Sequence, residues 1–195
     1  MVIQADLEPR PLRADARRNR DRLLAAAREA FAEQGGDAAL DEIARCAGVG
    51  IGTLYRHFPT RQDLMEAAFL DQAQELQAKA VELAADPDPF AALVTWLRAH
   101  MVAGARGRSL ASTVMCAKHQ QGSPINVACT QMAAAGAALL VRAQAAGQVR
   151  PDVDSSDVFR MVHGIVLANE QSDDPARADR MLDLVVAGLR PAASP

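Results

Sequence analysis

The sequence predicts an all-α protein, and three observations predict it. Alanine and leucine dominate, β-branched residues do not cluster, and only five Phe, one Tyr and one Trp occur in 195 residues. That composition favours helices over strands. Apolar residues recur at spacings of three and four, as on one face of a helix. Glycine and proline punctuate these runs, beside residues that cap helix ends. At 50 % hydrophobic, the chain can bury a real core in one or two domains.

The first helix is predicted from about Asp15 to Gln34, with Leu23, Leu24, Ala27, Ala30 and Phe31 on one stripe and Gly35-Gly36 ending it. A short second helix, about Asp41–Ala47, stops at Gly48. A third follows from about Ile51 to Phe58 and stops at Pro59. Three short elements with glycine at the tight turn make a helix-turn-helix pattern. Thr60 and Asp63 then form a capping box opening a fourth helix to about Ala85, with Met65, Phe69, Leu76, Ala80 and Leu83 on one side. Asp88 caps a fifth helix whose first turn contains Pro89 and whose inner face carries Phe90, Leu93, Val94, Leu97 and Met101.

Gly104–Ser109 reads as a small basic loop, followed by a short helix over about Leu110–His119 and a break at Gln120–Pro124. A long helix is predicted over about Ile125–Gly147. After a turn, Ser155 or Ser156 caps a helix carrying Val158, Met161, Val162, Ile165 and Val166. The last helix, about Pro175–Leu189, repeats that spacing in Met181, Leu184, Val185, Gly188 and Leu189.

The net charge of −3 is unevenly divided. Residues 10–61 hold ten arginines against seven acids, and residues 62–195 hold eleven Lys/Arg against fifteen acids. A basic front and an acidic remainder suit a protein that touches phosphate with one end only. The opening stretch Met1–Leu12 contains Asp6, Glu8, Arg10 and two prolines, which excludes a signal peptide's apolar core. The longest apolar run, Met132 to Val141, is ten residues, against the roughly 18–20 that cross a bilayer. A soluble, cytoplasmic protein with no membrane partner is expected. Cys46, Cys116 and Cys129 have no metal-ligand spacing and read as three small buried thiols, so no metal site is expected. Catalytic residues and cofactors are not expected either. There is no supported Ser/His/Asp arrangement, Gly-rich phosphate loop, HExxH or framed carboxylate pair.

The stretch from Leu40 to Leu64, LDEIARCAGVGIGTLYRHFPTRQDL, resembles the DNA-binding region of TetR/AcrR-family transcriptional regulators. The likeness covers about residues 15–70 without insertion. Its most specific part is Gly48-Val49 followed by Thr53-Leu54-Tyr55-Arg56-His57-Phe58. Ile43, Ala44, Ala47, Val49, Leu54 and Phe58 are spaced to pack the second and third helices on the first. Gly48 falls where a positive φ is needed. Thr53, Tyr55, Arg56 and His57 would face the major groove and its flanking phosphates. The resemblance implies DNA contacts from Thr53, Tyr55, His57 and Arg61. Arg17, Arg18 and Arg20, on the arm entering the first helix, are further phosphate candidates. The DNA-binding set is completed by Arg45, Gly50, Ile51, Gly52 and Thr60. Two departures stand out. Ala38, Ala39 and Leu40 replace the usual Ser or Thr before the second helix, a weaker cap by ~1 kcal/mol. Gly50, Ile51 and Gly52 leave few hydrogen-bonding groups for base edges, so Ile51 is expected against a thymine methyl.

The implied organisation is a flexible basic N-terminal arm (1–14), a three-helix DNA-binding domain with the helix-turn-helix (15–63), a helical bundle for ligand binding and dimerisation (64–190), and a tail (191–195). The last two helices carry wide apolar stripes with Gly164, Ala168, Ala187 and Gly188, too much to bury alone. Pairing with a second copy makes a four-helix bundle. Its candidate interface is Val158, Met161, Val162, Ile165, Met181, Leu184, Val185 and Leu189. The candidate pocket residues are Phe90, Trp96, His100, Met101, Met115, His119, Met132 and His163. The function expected is a ligand-responsive regulator, a repressor that binds palindromic double-stranded operator DNA as a homodimer. A small-molecule effector of unknown identity would release it. The alternatives are a helical ligand-binding or adaptor protein without DNA contact, and an enzyme.

Overall fold

The computed structural model describes residues 10–106, 121–169, 172, 174 and 176–191. Among these residues the chain forms eight α-helices and no strand: α1 (Arg10–Gln34), α2 (Leu40–Cys46), α3 (Ile51–His57), α4 (Arg61–Leu83), α5 (Pro89–Arg106), α6 (Pro124–Ala145), α7 (Ser155–Ala168) and α8 (Arg177–Leu189). A single 3₁₀ turn, Gly35–Asp37, follows α1. The expected helix near 110–119 lies outside the described residues, and so do Met115, Cys116 and His119.

Helix α1 begins at Arg10, five residues earlier than the expected start near Asp15. Pro11 is tolerated there because first-turn N–H groups have no intrahelical partner. The last part of the predicted flexible arm is therefore helix. The capping box of α4 is present, with Thr60 and Asp63 bonded reciprocally. Asp88 accepts from the N–H groups of Phe90 and Ala91 at 3.0 and 3.1 Å, as its place before Pro89 predicts. The cap of α7 differs from expectation. Asp154, not Ser155 or Ser156, accepts the Ser156 N–H at 2.7 Å. A carboxylate at a helix N-terminus adds a favourable dipole interaction that a hydroxyl lacks.

Two cores form. The first joins Leu23, Leu24, Ala27 and Phe31 of α1 with Ile43, Ala44 and Leu54, and it also takes in Leu64, Met65 and Ala68 of α4. The boundary expected at residue 63 thus cuts through packed side chains, because the first turns of α4 close the head. The second core gathers α5, α6, α7 and α8 around Trp96, with Ala80 of α4. Helix α6 is long and apolar enough to cross a membrane by length and composition. It packs instead along α4 and α5, burying Ile125, Ala128, Leu139, Leu140 and Ala143.

Trp96 fills the centre of this bundle. It is fully buried, and its indole N–H donates to the Leu76 carbonyl of α4 at 2.9 Å. Its ring lies directly on Gly136, where a Cβ would approach it to 2.2 Å, so only glycine fits. His100 stacks on the indole with centroids 5.1 Å apart, and Phe159 tilts against it at 5.2 Å.

Candidate nucleic-acid interface

The turn between α2 and α3 sets the geometry of the head. Gly48 adopts φ +67°, the Gly48 N–H bonds the Arg45 carbonyl, and the Val49 N–H bonds the Ala44 carbonyl, both at 3.0 Å. This is a Schellman closure, which needs a left-handed residue at that point. It turns the chain tightly enough for Ile43, Ala44, Ala47, Leu54 and Phe58 to share one core with α1. Leu54 is the one fully buried residue of α3, and Ile51, Gly52, Tyr55 and Arg56 are turned outward.

On the outward side, Ile51 is 41 % and Tyr55 49 % exposed. Gly50, Gly52 and Arg56 are exposed, while Thr53 and His57 are half-buried. A Cβ at Gly50 or Gly52 would meet nothing within 4 Å, so the backbone there is open to close approach. Arg17 and Arg18 are exposed on α1; Arg17 has no partner among the described residues, and Arg18 pairs with Asp15 one turn back. Arg20 lies 5.8 Å from the centre of the Phe58 ring, which leaves its charge beside α3. Arg45 pairs with Glu42 at 3.1 Å on an exposed face, a contact weak enough for a phosphate to replace.

Three of the expected DNA contacts are engaged elsewhere. Arg56 folds along its own helix, with Nε donating to the Gly52 carbonyl and Nη2 to the Thr53 hydroxyl, each at 3.2 Å. Thr60 donates both its N–H and its hydroxyl to the Asp63 carboxylate, at 2.9 and 2.7 Å, so it has no donor left for a phosphate. Arg61 is half-buried, and its Nη1 donates to the carbonyls of Gly36 and Ala38 at 2.9 and 2.5 Å. It holds the turn before α2, whose N-cap, Ala39, makes no side-chain bond. These bonds steady the turn but leave the first N–H groups of α2 without a side-chain acceptor.

The sequence reading also missed Arg28 of α1. Its Nη1 meets Asp71 at 2.9 Å and Glu75 at 2.7 Å, tying the head to the middle of α4. Burial pushes the Asp71 carboxyl above the usual carboxylate range, against the opposing pull of Arg28. No local pattern marks these partners, since they lie on different helices.

The C-terminal candidates are spread between core and surface. Phe90, Trp96 and Met101 are buried core, Met132 packs on that core, and His100 is half-buried in the aromatic stack. None of them lines the cleft between α1, α4 and α5 or the one between α7 and α8, and His163 is exposed on α7. Of the expected interface, Val158, Val162, Ile165 and Leu189 are buried within their own chain and are unavailable to a partner. Met181 and Val185 are half-buried, and Met161 and Leu184 are exposed. Cys46 is exposed, not buried, and Cys129 is half-buried. The apolar period is the same whether a stripe faces its own core or a second chain, so spacing does not separate the two.

A tri-helical head that presents a short, outward-turned helix beside exposed arginines defines a helix-turn-helix DNA-binding protein. Comparison with known proteins agrees. The model for bacterial regulatory proteins of the tetR family matches residues 23–68, and that for the transcriptional regulator SbtR-like C-terminal domain matches residues 88–191. The TetR transcriptional regulator SCO0520 from Streptomyces coelicolor superposes with a TM-score of 0.78 at 41 % identity, over 89 % of this chain and 99 % of that one. A TetR regulatory protein from Mycobacterium vanbaalenii gives 0.74 at 34 % identity, over 93 % and 100 %. The HTH-type regulator TtgW of Pseudomonas putida, itself uncharacterized, is 40 % identical over 65 residues. That match spans 33 % of this chain and 48 % of TtgW, less than half of the relative's length. The chain belongs to the TetR family and is a transcriptional regulator, not an enzyme.

Proposed function

We propose that this protein is a ligand-responsive repressor. It acts in the cytoplasm, grips palindromic operator DNA as a homodimer, and is released by a small-molecule effector. The observation that carries the reading is the exposed side of α3, with Ile51, Tyr55 and the half-buried Thr53 and His57, and with Arg20 against the Phe58 ring at its end. One such helix reads too few bases for specificity. Two heads held about 34 Å apart would read successive major grooves.

The surface for pairing is the outer side of α7 and α8. Met161 is 54 % and Leu184 75 % exposed, and Leu167 is also uncovered. A Cβ at the intervening Gly164 or Gly188 would meet nothing within 4 Å, which leaves room for a second copy to approach closely. An effector acts through whatever difference it has in affinity for the gripping and released arrangements.

Selection of binding sites from a randomised duplex library tests the reading. An inverted repeat with half-sites about one helical turn apart is expected. Tyr55→Ala should weaken binding to that repeat at least tenfold while the fold and self-association persist. Enrichment of no duplex, or of an asymmetric site bound by one chain, would overturn the proposal.

A further inference from the structure

The centre of the bundle is occupied by protein. Trp96 is fully buried there against Gly136, leaving its ring no clearance from the α6 backbone. A cleft of about 510 Å³ opens elsewhere, where α1, α4 and α5 meet. That volume lies within the roughly 300–1,000 Å³ typical of small-molecule sites. Ala25, Leu76, Ala99 and Val102 give it an apolar floor. Lys79 and Arg106 stand on its rim, both exposed and without an acidic partner among the described residues. Of the two acids in the lining, Glu75 is already held by Arg28 at 2.7 Å. Glu29 is exposed, so the rim offers two uncommitted cations against one uncommitted acid.

We propose that this junction cleft is the effector site, and that it takes an amphipathic monocarboxylate. The apolar body lies on Leu76, Ala99 and Val102, and the carboxylate meets Lys79 or Arg106, which stand toward opposite ends of the cleft because Leu76 faces Trp96 and Gln72 faces Ala103. The inference rests on the ligand-responsive reading above and gives that ligand a place and a chemistry.

The position of the cleft supplies the means of regulation. Its wall includes Arg28, whose contacts with Asp71 and Glu75 tie the head to α4. A ligand filling the cleft lies against that wall and disturbs the contacts that Arg28 makes there. Loosening the tie changes how the head sits on α4, and operator affinity falls by the coupling between the two sites.

Titration calorimetry of the full chain with decanoate tests the site, with decyltrimethylammonium as a control of equal tail and opposite charge. Decanoate should bind once per chain and the cation should not. Ala99→Trp, which fills the cleft, should abolish binding. Lys79→Glu combined with Arg106→Glu should weaken it at least tenfold. All these variants should bind the selected operator as the unaltered protein does, and decanoate should lower operator affinity about 5–150-fold. The proposal is overturned by absence of decanoate binding, or by equal binding of the cation. It is equally overturned if Ala99→Trp leaves affinity intact while Trp96→Phe, which opens the bundle centre, raises it. Failure of the unliganded protein to bind any duplex counts against the DNA-binding reading instead, and leaves the calorimetric result to be judged separately.

Discussion

Replacing Arg61 with glutamine separates a phosphate contact from a positioning role. The guanidinium Nη1 donates to the carbonyls of Gly36 and Ala38 at 2.9 and 2.5 Å. Hydrogen bonds to charged groups contribute about 1.5–3 kcal/mol each, and a half-buried pair belongs at the lower end. Glutamine can recover one neutral bond of about 1 kcal/mol, which leaves a loss of about 2 kcal/mol. For a chain of this size that lowers the melting temperature by roughly 4–8 °C. The assay pairs thermal unfolding with operator affinity measured across salt concentrations. Affinity should fall several-fold because the turn before α2 loosens, but the slope of log affinity against log salt should stay the same. A lost phosphate contact would instead reduce that slope by about 0.9. An unchanged melt with a slope shallower by that amount would refute the positioning role. Arg61→Lys, which keeps the charge, should fall between the two proteins in stability.

Three further outcomes follow from the packing and the caps. Gly136→Ala places a methyl group 2.2 Å from the Trp96 ring; overpacking of this kind costs about 1–3 kcal/mol, and an unchanged melt would show that the ring moves aside freely. Leu184→Asp puts a charge at the most exposed part of the α8 stripe. Sedimentation should then report a monomer with little operator affinity, and a surviving dimer would move the interface elsewhere. Asp154 is held below the usual carboxylate range by its hydrogen bonds to Ser156. Its folded-state pKa is depressed, so its stabilising contribution is present above the ordinary value of 3.8 and is lost as pH falls through the lower one. Asp154→Asn should flatten that part of the curve of melting temperature against pH, and superimposable curves would show that the cap is not coupled to folding.

What could be read from the sequence was local. The capping box at Thr60 and Asp63, the cap at Asp88 beside Pro89, and the positive φ of Gly48 each follow from a few adjacent residues. What could not be read depends on residues far apart in the chain. Arg61 looks like a surface cation until α4 is docked against the turn after α1, when two carbonyls come within reach. Arg28 finds its acids only when α1 lies along α4. In α7, Val162 is sealed inside while its neighbour Met161 stands in solvent. A stripe wide enough to serve both surfaces gives no sign of where one ends. The expected pocket residues raise a related difficulty. Large adaptable side chains at helical spacing describe a filled core as well as a hollow one, and in this bundle Trp96 fills it.

The first turn of α4 has a practical meaning for anyone grafting one regulator's reading head onto another's sensor. Thr60 and Asp63 complete each other's hydrogen bonds, and Leu64, Met65 and Ala68 close the head's apolar interior. A splice made at Pro59, where the loop looks like a natural seam, would strip a cap and unroof a core together. A chimera joined after Glu75 carries the cap, the core and both acidic partners of Arg28 across together, and should inherit the donor's DNA preference without inheriting an unstable fold.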